Sequence, residues 1–357
     1  MAGLAIGIAG AGLLGRLLAW QLARAGHRVS VFDPAPGPQP SFDGQQSAGF
    51  TAAGMLSPLA ELDNSSAAVA ALGWRSIALW RAVVRELRAR PAFAERGSLL
   101  LAHRSDAGAA QRVLSRLSRA LPGTPQAEPL DATQLAALEP ALQGAALAWL
   151  LPGEAQIDAL AAMLALQAEA PDVDWHWRCH VTAVQAGVLV IDGEPVRRFD
   201  LVFDVRGTGG RPELPVRGVR GELVWLHAPG HGLSRPLRLL HPRHRVYLVP
   251  RPGDVVLVGA SEIESEDRSP VSLRSAVELM AAAHSVMPVL AEARILRLDR
   301  NLRPALLDNE PRCEVGPGLV RINGLFRHGW LLAPALVADA LQACGLIRNV
   351  QPLEAAA

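Results

Sequence analysis

The start of the chain alternates between apolar runs and one helical apolar pattern. Residues 4–9 (LAIGIA) form a continuous apolar run, which predicts a buried strand. Residues 13–25 repeat apolar positions at helical spacing, and Gly26 is a typical helix end. HRVSVF at 27–32 then predicts a second strand. The chain therefore opens on a strand–helix–strand unit.

The pattern changes several times after this unit. Residues 34–50 are rich in Pro, Gly, Ser and Gln and predict a long loop. Residues 65–88 place Trp74, Ile77, Trp80, Val84 and Leu87 at spacings of three and four, which predicts a long amphipathic helix. Further helices are predicted at 106–121, 131–138, 158–170, 271–286 and 329–344. Strands are predicted at 97–102, 145–151, 180–184, 188–191, 200–205, 222–227, 245–249, 255–258, 295–302 and 319–323.

The order of these elements indicates a fold class. The chain has a β-α-β opening, a strand-rich middle and a late strand–helix pair. This order predicts an α/β fold class with an α+β arrangement of two domains. We expect a nucleotide-binding domain that is completed by the end of the chain, with another domain inserted.

Three glycines follow the first strand in the spacing GxGxxG. Gly10 permits a tight turn, Gly12 allows a pyrophosphate to approach the backbone, and Gly15 allows close packing of helix on strand. Asp33 stands at the end of the second strand, where a ribose hydroxyl needs an acceptor. These residues predict a dinucleotide site; the alternative is an ordinary tight turn with a capping aspartate.

Composition excludes several classes of protein. At 357 residues and 50% hydrophobic, the chain can bury one large core or two moderate ones. A net charge of +1 indicates neither a nucleic-acid surface nor an anionic membrane. All 35 basic residues are arginine, so a pyridoxal Schiff base, a lysine nucleophile and a Walker loop are excluded from this chain.

The cysteines and histidines give no metal pattern. Cys179, Cys313 and Cys344 lie far apart, and we expect them to be reduced and structural. His241 with His244, or Cys179 with His180, lacks a third ligand at a suitable spacing. The apolar start lacks a basic n-region and meets Arg16 too early for a membrane span. We expect a cytoplasmic protein without a membrane span.

Several segments, taken in order, resemble the FAD-dependent D-amino acid oxidase family, and within it the glycine oxidase branch linked to thiamine biosynthesis. They are GAGLLG with Asp33, TAAGMLSP, RVYLVPRP followed by VVLVGAS, NLRPA and LFRHGWLLAP. The resemblance implies a Rossmann-like FAD-binding domain joined to an inserted substrate domain built on an antiparallel sheet. It assigns residues 1–90, 146–219 and 304–357 to the first domain and residues 91–145 and 220–303 to the second.

The resemblance also implies which residues bind FAD. The turn after the first strand holds the adenosine half, the segment around Gly54 passes beside the flavin, and the stretch 325–331 runs under it. A helix N-terminus at that last position stabilises negative charge on a reduced flavin. The implied cofactor residues are Gly10, Gly12, Leu13, Leu14, Gly15, Asp33, Ala48, Gly49, Ala53, Gly54, Met55, Val181, Gly207, Leu325, Phe326, His328, Gly329, Trp330 and Leu331.

For the substrate, the resemblance points to Arg303, Arg327 and Tyr247. Arg303 precedes a proline, which favours extended backbone, and its guanidinium fork can hold a carboxylate by two hydrogen bonds. Tyr247 is the only tyrosine in the chain and offers a hydroxyl to the same carboxylate. One departure from the family is RGTGG at 206–210, which leaves the role of Arg206 open.

The implied activity is oxidation of a small amino acid to an imine, with molecular oxygen as electron acceptor and hydrogen peroxide as product. Glycine, sarcosine, D-alanine and D-proline all fit, and a homo-oligomer is left open. Two alternatives remain at this stage: a dehydrogenase of the same fold that passes electrons to a quinone or carrier protein, and a non-catalytic nucleotide-binding module. An NAD-linked dehydrogenase fits less well, because the RHG turn has no role there.

Overall fold

The computed structural model describes residues 3–118, 122–240 and 245–347. The helices are α1 (Leu13–Arg24), α2 (Pro58–Glu61), α3 (Ala67–Glu86), α4 (Ala107–Leu117), α5 (Ala132–Leu138), α6 (Ala159–Ala168), α7 (Leu273–Val286) and α8 (Gly329–Ala343). The strands are β1 (Ala5–Ala9), β2 (Arg28–Asp33), β3 (Met55–Leu56), β4 (Phe93–Ala94), β5 (Ser98–Ala102), β6 (Glu128–Leu130), β7 (Leu147–Leu151), β8 (Ala155–Ile157), β9 (Asp174–Trp177), β10 (Val181–Gln185), β11 (Val188–Ile191), β12 (Arg197–Arg198), β13 (Leu201–Asp204), β14 (Arg217–His227), β15 (Leu237–Leu240), β16 (Arg245–Arg251), β17 (Val255–Gly259), β18 (Arg294–Ala305), β19 (Arg312–Gly316) and β20 (Leu319–Asn323).

A six-stranded sheet in the order β19-β20-β13-β1-β2-β9 carries the opening strand–helix–strand unit. β20, β13, β1, β2 and β9 run parallel, and β19 closes one edge antiparallel to β20. Apolar residues from β1, α1, α3, α6 and α8 form the main core on this sheet. The predicted α/β class and its Rossmann-like unit are confirmed.

The second large sheet has eight strands, in the order β18-β14-β17-β16-β15-β5-β7-β6. All of its pairs are antiparallel except β15 with β5, which run parallel. A separate apolar core packs α7 against this sheet, with Leu279 and Val286 fully buried. The sheet is therefore largely antiparallel, as the resemblance implied, with one parallel pair where β15 lies beside β5.

The predicted helices lie where the patterns placed them, most of them shortened by one or two residues at an end. Several strands are longer than predicted, above all β14, predicted at 222–227, and β18, predicted at 295–302. The helix predicted at 106–121 is observed as α4, and residues 119–121 lie outside the described part of the chain. The sequence did not predict β3, β4, β6, β8, β9, β12, β15 and β19. These strands are two to five residues long, which is too short for a pattern of apolar and polar positions to mark a strand.

The glycine turn brings α1 very close to β1. A Cβ on Gly15 would lie 1.8 Å from the carbonyl oxygen of Gly10, and Gly10 itself has φ of +106°, where L side chains are strained. The Gly10 amide donates to the Phe32 carbonyl at 2.8 Å, which ties the turn to the end of β2. Gly15 therefore serves packing, and Gly10 serves the turn.

Helices α3 and α8 pack together through two tryptophans. Trp80 and Trp330 stack with ring centroids 5.1 Å apart, and Trp80 Nε1 donates to the Trp330 carbonyl at 2.7 Å. α3 is also long and apolar enough to cross a membrane by length and composition. Trp80 is fully buried in the main core, so the same apolar residues serve helix packing here.

Guanidinium groups hold the loop predicted at 34–50, which contains only a short 3-10 turn at Ala48–Phe50. Arg16 is 1% exposed and donates to the carbonyls of Ala11, Met163 and Pro38 at 2.8–2.9 Å. Burial lowers its pKa to about 10. Arg300 donates to the Phe42 carbonyl at 3.2 Å. A loop without regular structure is thereby fixed against the sheet.

Replacing Gly15 with alanine is expected to destabilise the fold by about 3 kcal/mol, because the new methyl group must displace backbone rather than a side chain. The measurement is the free energy of unfolding in denaturant. Gly37→Ala is the matched control, since no atom lies within 4 Å of its added Cβ. Equal stability of the two variants would contradict the close packing described here.

Candidate active site

A large cleft of about 1300 Å³ is lined by residues of both main sheets. This volume exceeds the roughly 300–1,000 Å³ of a typical small-ligand site and has room for a dinucleotide together with a small substrate. Gly15 does not line it, in agreement with its packing role. The other sequence-predicted residues do: Gly10, Gly12, Leu13, Leu14, Asp33, Ala48, Gly49, Ala53, Gly54, Met55, Val181, Gly207, Tyr247, Arg303, Leu325, Phe326, Arg327, His328, Gly329, Trp330 and Leu331.

Two helix N-termini open into this cleft without a side-chain cap. Gly12 precedes α1 and has no side chain that could cap it, and the side chain of His328, which precedes α8, accepts no bond from the first turn. By contrast, Ser66, Asp158 and Ser272 cap α3, α6 and α7. Uncapped N–H groups at helix starts favour an anion. A Cβ on Gly329 would meet nothing within 4 Å, so the start of α8 has free space before it.

Asp33 lies at the cleft wall and is held by two backbone amides. Its Oδ2 accepts from Ala11 N at 2.6 Å and its Oδ1 accepts from Ala35 N at 2.8 Å. The carboxylate thus fixes the glycine turn and still presents acceptor lone pairs to the cleft. Together with the uncapped start of α1, this arrangement fits the adenosine and pyrophosphate of a dinucleotide such as FAD.

The segment around Gly54 crosses the middle of the cleft. Gly54 has φ of +62°, and a Cβ there would lie 2.1 Å from the Ile157 carbonyl oxygen. Arg251 is buried beneath this segment, donates to the Ala53 carbonyl, and has its pKa lowered to about 10 by burial. No larger residue could follow this path, so the backbone itself forms the wall where a flat ring could lie.

The departure at Arg206 has a structural explanation. Its guanidinium forms a two-point pair with buried Asp204, with Nε–Oδ1 at 2.9 Å and Nη2–Oδ2 at 2.8 Å. Nη1 donates to the Val181 carbonyl at 3.1 Å. Arg206 therefore binds the strand ends that carry Val181 and Gly207, and its charge is already paired.

Arg303 and Tyr247 face the other end of the cleft from β18 and β16, each over a glycine. A Cβ on Gly221 would lie 2.3 Å from the Arg303 guanidinium carbon, and a Cβ on Gly259 would lie 2.6 Å from the Tyr247 hydroxyl. Arg303 Nη1 donates to the Ser261 carbonyl at 3.0 Å. Within the described ranges Arg303 has no carboxylate partner and the Tyr247 hydroxyl makes no hydrogen bond.

Burial favours the neutral form of both Arg303 and Tyr247. Withdrawal from water lowers the pKa of Arg303 and raises the pKa of Tyr247, and the charge of Arg303 partly opposes the second shift. Arg303 still titrates far above neutral pH. The pair therefore presents a cation and a hydroxyl donor, which is the chemistry that binds a carboxylate.

Arg327 belongs to a buried ionic cluster around Glu61, which is 5% exposed. Glu61 Oε1 contacts Arg238 Nη2 at 2.5 Å, and Oε2 contacts Arg327 Nη2 at 2.8 Å and His328 Nδ1 at 3.3 Å. Burial favours the neutral acid, but the two arginines and His328 outweigh it and hold the pKa of Glu61 well below its usual range. Glu61 is charged, and Arg327 is held by it.

His328 is neutral in this cluster. Burial lowers its pKa to about 4, against the smaller opposing effect of Glu61. Its Nε2 lies 3.0 Å from Ser65 Oγ. A neutral ring that bonds a serine is poorly placed as a general base for a substrate, so the backbone of the turn remains its contribution to the cleft.

Sequence reasoning missed Glu61, Arg238 and Glu262, all of which line the cleft. Glu61 follows the TAAGMLSP segment by three residues, which was the available signal. Arg238 lies on β15, a strand that the pattern did not predict. Nothing in the sequence distinguishes Glu262 from the other acidic residues at 264, 266 and 267.

Among the described residues no group of three His, Cys, Asp or Glu side chains could hold a metal ion. His241 and His244 lie outside the described residues. Cys179 and His180 are neighbours in sequence, and Cys179 instead lies 3.8 Å from Glu194 Oε1. The three cysteines are free.

Replacing His328 with asparagine is expected to reduce the loss of stability in acid. Because the folded-state pKa of about 4 lies below the ordinary 6.5, the unfolded chain takes the proton first. The wild-type protein therefore loses about 2 kcal/mol through this group between pH 7 and pH 5. Denaturant titrations at both pH values measure the difference; His284→Asn, at an exposed site on α7, is the control. An equal acid loss in all three proteins would contradict a buried neutral His328.

Comparison with known proteins agrees with this geometry. The family model described as DAO, FAD dependent oxidoreductase, matches residues 5–341. The thiamine biosynthesis oxidoreductase ThiO of Rhizobium etli is 38% identical over 332 residues, covering 92% of this chain and 93% of that protein. Glycine oxidase of Geobacillus kaustophilus is 28% identical, covering 94% of this chain and 92% of that protein.

The crystal structure of glycine oxidase from Geobacillus kaustophilus superposes with a TM-score of 0.81 at 25% identity, covering 96% of this chain and 95% of that one. The match extends over both sheets and the cleft between them. The chain therefore belongs to the DAO family of FAD-dependent oxidoreductases, and FAD is its cofactor.

Proposed function

We propose that the protein is a glycine oxidase-like enzyme that oxidises a small amino acid to its imine. The observation that carries this proposal is the Arg303–Tyr247 pair, which faces the cleft; in the described part of the chain Arg303 has no carboxylate partner and the Tyr247 hydroxyl has no hydrogen bond. A cation and a hydroxyl donor side by side suit one carboxylate. Relatives named as glycine oxidase and ThiO support an amino acid as the carrier of that carboxylate.

We further propose that the chain divides into a discontinuous FAD-binding domain and an inserted substrate domain. The six-stranded sheet and α8 belong to the first, and the eight-stranded sheet belongs to the second. β7 (Leu147–Leu151) pairs with β5 and β6, so the substrate domain extends past residue 145 to include it. Similarly, β14 begins at Arg217 and β18 ends at Ala305, so both strands extend slightly beyond the bounds of 220–303.

In the proposed mechanism Arg303 and Tyr247 bind the substrate carboxylate and thereby fix the direction of the α-carbon. Arg327, held by Glu61, adds positive charge to the same end of the cleft. The cleft residues from the glycine turn to the start of α8 would hold FAD, which, when bound, would supply a two-electron acceptor for the α-hydrogen. The protein supplies orientation and electrostatics.

Molecular oxygen is the proposed electron acceptor, with hydrogen peroxide as product, and the imine is proposed to enter thiazole assembly in thiamine synthesis. The name of the Rhizobium etli relative supports the second point. The free state of Cys179, Cys313 and Cys344 supports a reducing, cytoplasmic location.

The holoprotein reconstituted with FAD is expected to lose its yellow flavin absorbance when mixed anaerobically with glycine, sarcosine, D-alanine or D-proline. Admission of oxygen should then restore the colour and release one peroxide per turnover. Restoration only by a quinone or carrier would favour the dehydrogenase alternative. A flavin that stays oxidised with every amino acid would leave only a non-catalytic binding protein.

Arg303→Ala is expected to raise the KM for the reactive amino acid by about 10- to 100-fold, since a hydrogen bond to a charged group is removed. FAD content, measured by absorbance after gel filtration, should stay at the wild-type level. Arg294→Ala, on the exposed part of the same strand, is the matched control with unchanged KM. An unchanged KM in Arg303→Ala would remove this residue from the substrate site.

A further inference from the structure

Glu262 stands in the cleft beside the proposed carboxylate anchor, and no role has been assigned to it so far. Its side chain is 46% exposed, while those of Glu61 and Asp63 are 7% and 8% exposed. Glu61 is bound by two arginines, and Asp63 contacts Arg116 at 2.5 Å and Arg245 at 3.1 Å. Of these three acids, Glu262 therefore has the weakest ion pairing and the most exposed side chain.

The backbone fixes Glu262 opposite Gly221. Ser261 N donates to the Glu222 carbonyl at 3.1 Å, and Ile263 N donates to the Arg220 carbonyl at 3.0 Å. Antiparallel partners place their side chains on the same face of the sheet. The face of Gly221 is the one that the Arg303 guanidinium occupies, since a Cβ there would lie 2.3 Å from its carbon. Glu262 therefore points to the same side as Arg303.

This segment is held firmly. The Ser261 hydroxyl donates to Glu222 Oε2 at 3.1 Å, and fully buried Glu222 is paired with Arg220, with Nη2–Oε1 at 2.6 Å. The Ser261 carbonyl accepts from Arg303 Nη1 at 3.0 Å. Ser261 and Glu222 thus position both the Arg303 guanidinium and the start of the Glu262 side chain.

The carboxylate of Glu262 is only loosely bound within the described residues. Its Oε2 lies 3.5 Å from Arg327 Nη1, while the other Arg327 nitrogen is held by Glu61 at 2.8 Å. A ligand cation could therefore approach Glu262 without breaking a tight ion pair. The cleft offers an unpaired guanidinium and a partly exposed carboxylate on one side, which is complementary to a zwitterion.

We propose that Glu262 binds the ammonium group of the amino acid whose carboxylate is bound by Arg303, and so selects amino acids over analogues that lack the amine. This inference rests on the proposed function. Glu262 adds to that function a residue that recognises the amine of the substrate. Because oxidation requires the free amine, the contact stabilises the bound ground state rather than the reacting form.

The test uses two unreactive ligands of equal shape. 2-Aminoisobutyrate is a zwitterion without an α-hydrogen, and pivalate carries a methyl group in place of its ammonium. Their dissociation constants are measured on FAD-loaded enzyme from the change in flavin absorbance. In Glu262→Gln the preference for 2-aminoisobutyrate over pivalate is expected to fall about fivefold, the size of one partly exposed ion pair. Glu262→Asp keeps the charge and should retain most of the preference.

Glycine and propionate form a smaller pair, which covers a site too narrow for two methyl groups. In Glu262→Gln the KM for glycine should rise with kcat unchanged or higher, while the inhibition constant of propionate should fall, because a repelling carboxylate is removed. General damage would weaken both ligands together. Glu264→Gln, two residues along and paired with Arg217 on the surface, is the control.

An unchanged ligand preference in Glu262→Gln, or parallel weakening of glycine and propionate, would overturn the assignment of Glu262. Glu262→Ser provides a second neutral variant should the glutamine form lose FAD. Failure of the proposed function is a distinct result: the wild-type holoprotein would then show no flavin reduction with any amino acid, before a variant is made.

Discussion

The geometry of the cleft depends on one buried carboxylate. Glu61 lies where three parts of the chain meet: α2, strand β15 through Arg238, and the turn before α8 through Arg327. A buried ion that loses a partner is strongly destabilising, so the three parts are stable only together. The eight-stranded sheet is thereby fixed against the turn that precedes α8. The residues that face each other across the cleft owe their spacing to this cluster.

Arginine alone supplies every side-chain cation in this chain, and the structure uses its fork of donors inside the protein. Arg16 binds three carbonyl oxygens, and Arg206 binds a buried carboxylate on two nitrogens. A guanidinium is weakly hydrated and carries five N–H donors, so it can satisfy several backbone oxygens at once. This explains how an irregular loop of Pro, Gly and Ser at 34–50 becomes a wall of the site.

The sequence predicted those parts of the fold that rest on local periodicity. Helices α1, α3 and α8 carry long apolar patterns with clear ends, and the turn before α1 carries glycines in the spacing GxGxxG. The sequence predicted all four features. β15 was missed because its four residues, LRLL after Pro236, are too few to establish a strand pattern. Its pairing with β5, distant in the chain, decides its structure, and no local pattern contains that information.

The site was predictable in the same measure. Residues inside the family segments, such as Tyr247 and Arg303, could be named from the sequence, and they face the cleft. Glu61 and Arg238 could not be paired in advance, because they lie 177 positions apart and one stands on an unpredicted strand. Glu262 gained its meaning only from the register that sets it opposite Gly221.

The balance of charge at the substrate end follows from these pairings. Arg238 and Arg327 share Glu61, Arg116 and Arg245 share Asp63, and His328 is neutral. Among the described residues, this leaves the guanidinium of Arg303 and a carboxylate, Glu262, that Arg327 contacts only at 3.5 Å. A simple anion would meet the repulsion of Glu262, and a simple cation would meet that of Arg303. A molecule that carries an ammonium and a carboxylate group on one carbon atom relieves both, and an α-amino acid is a small molecule of that kind.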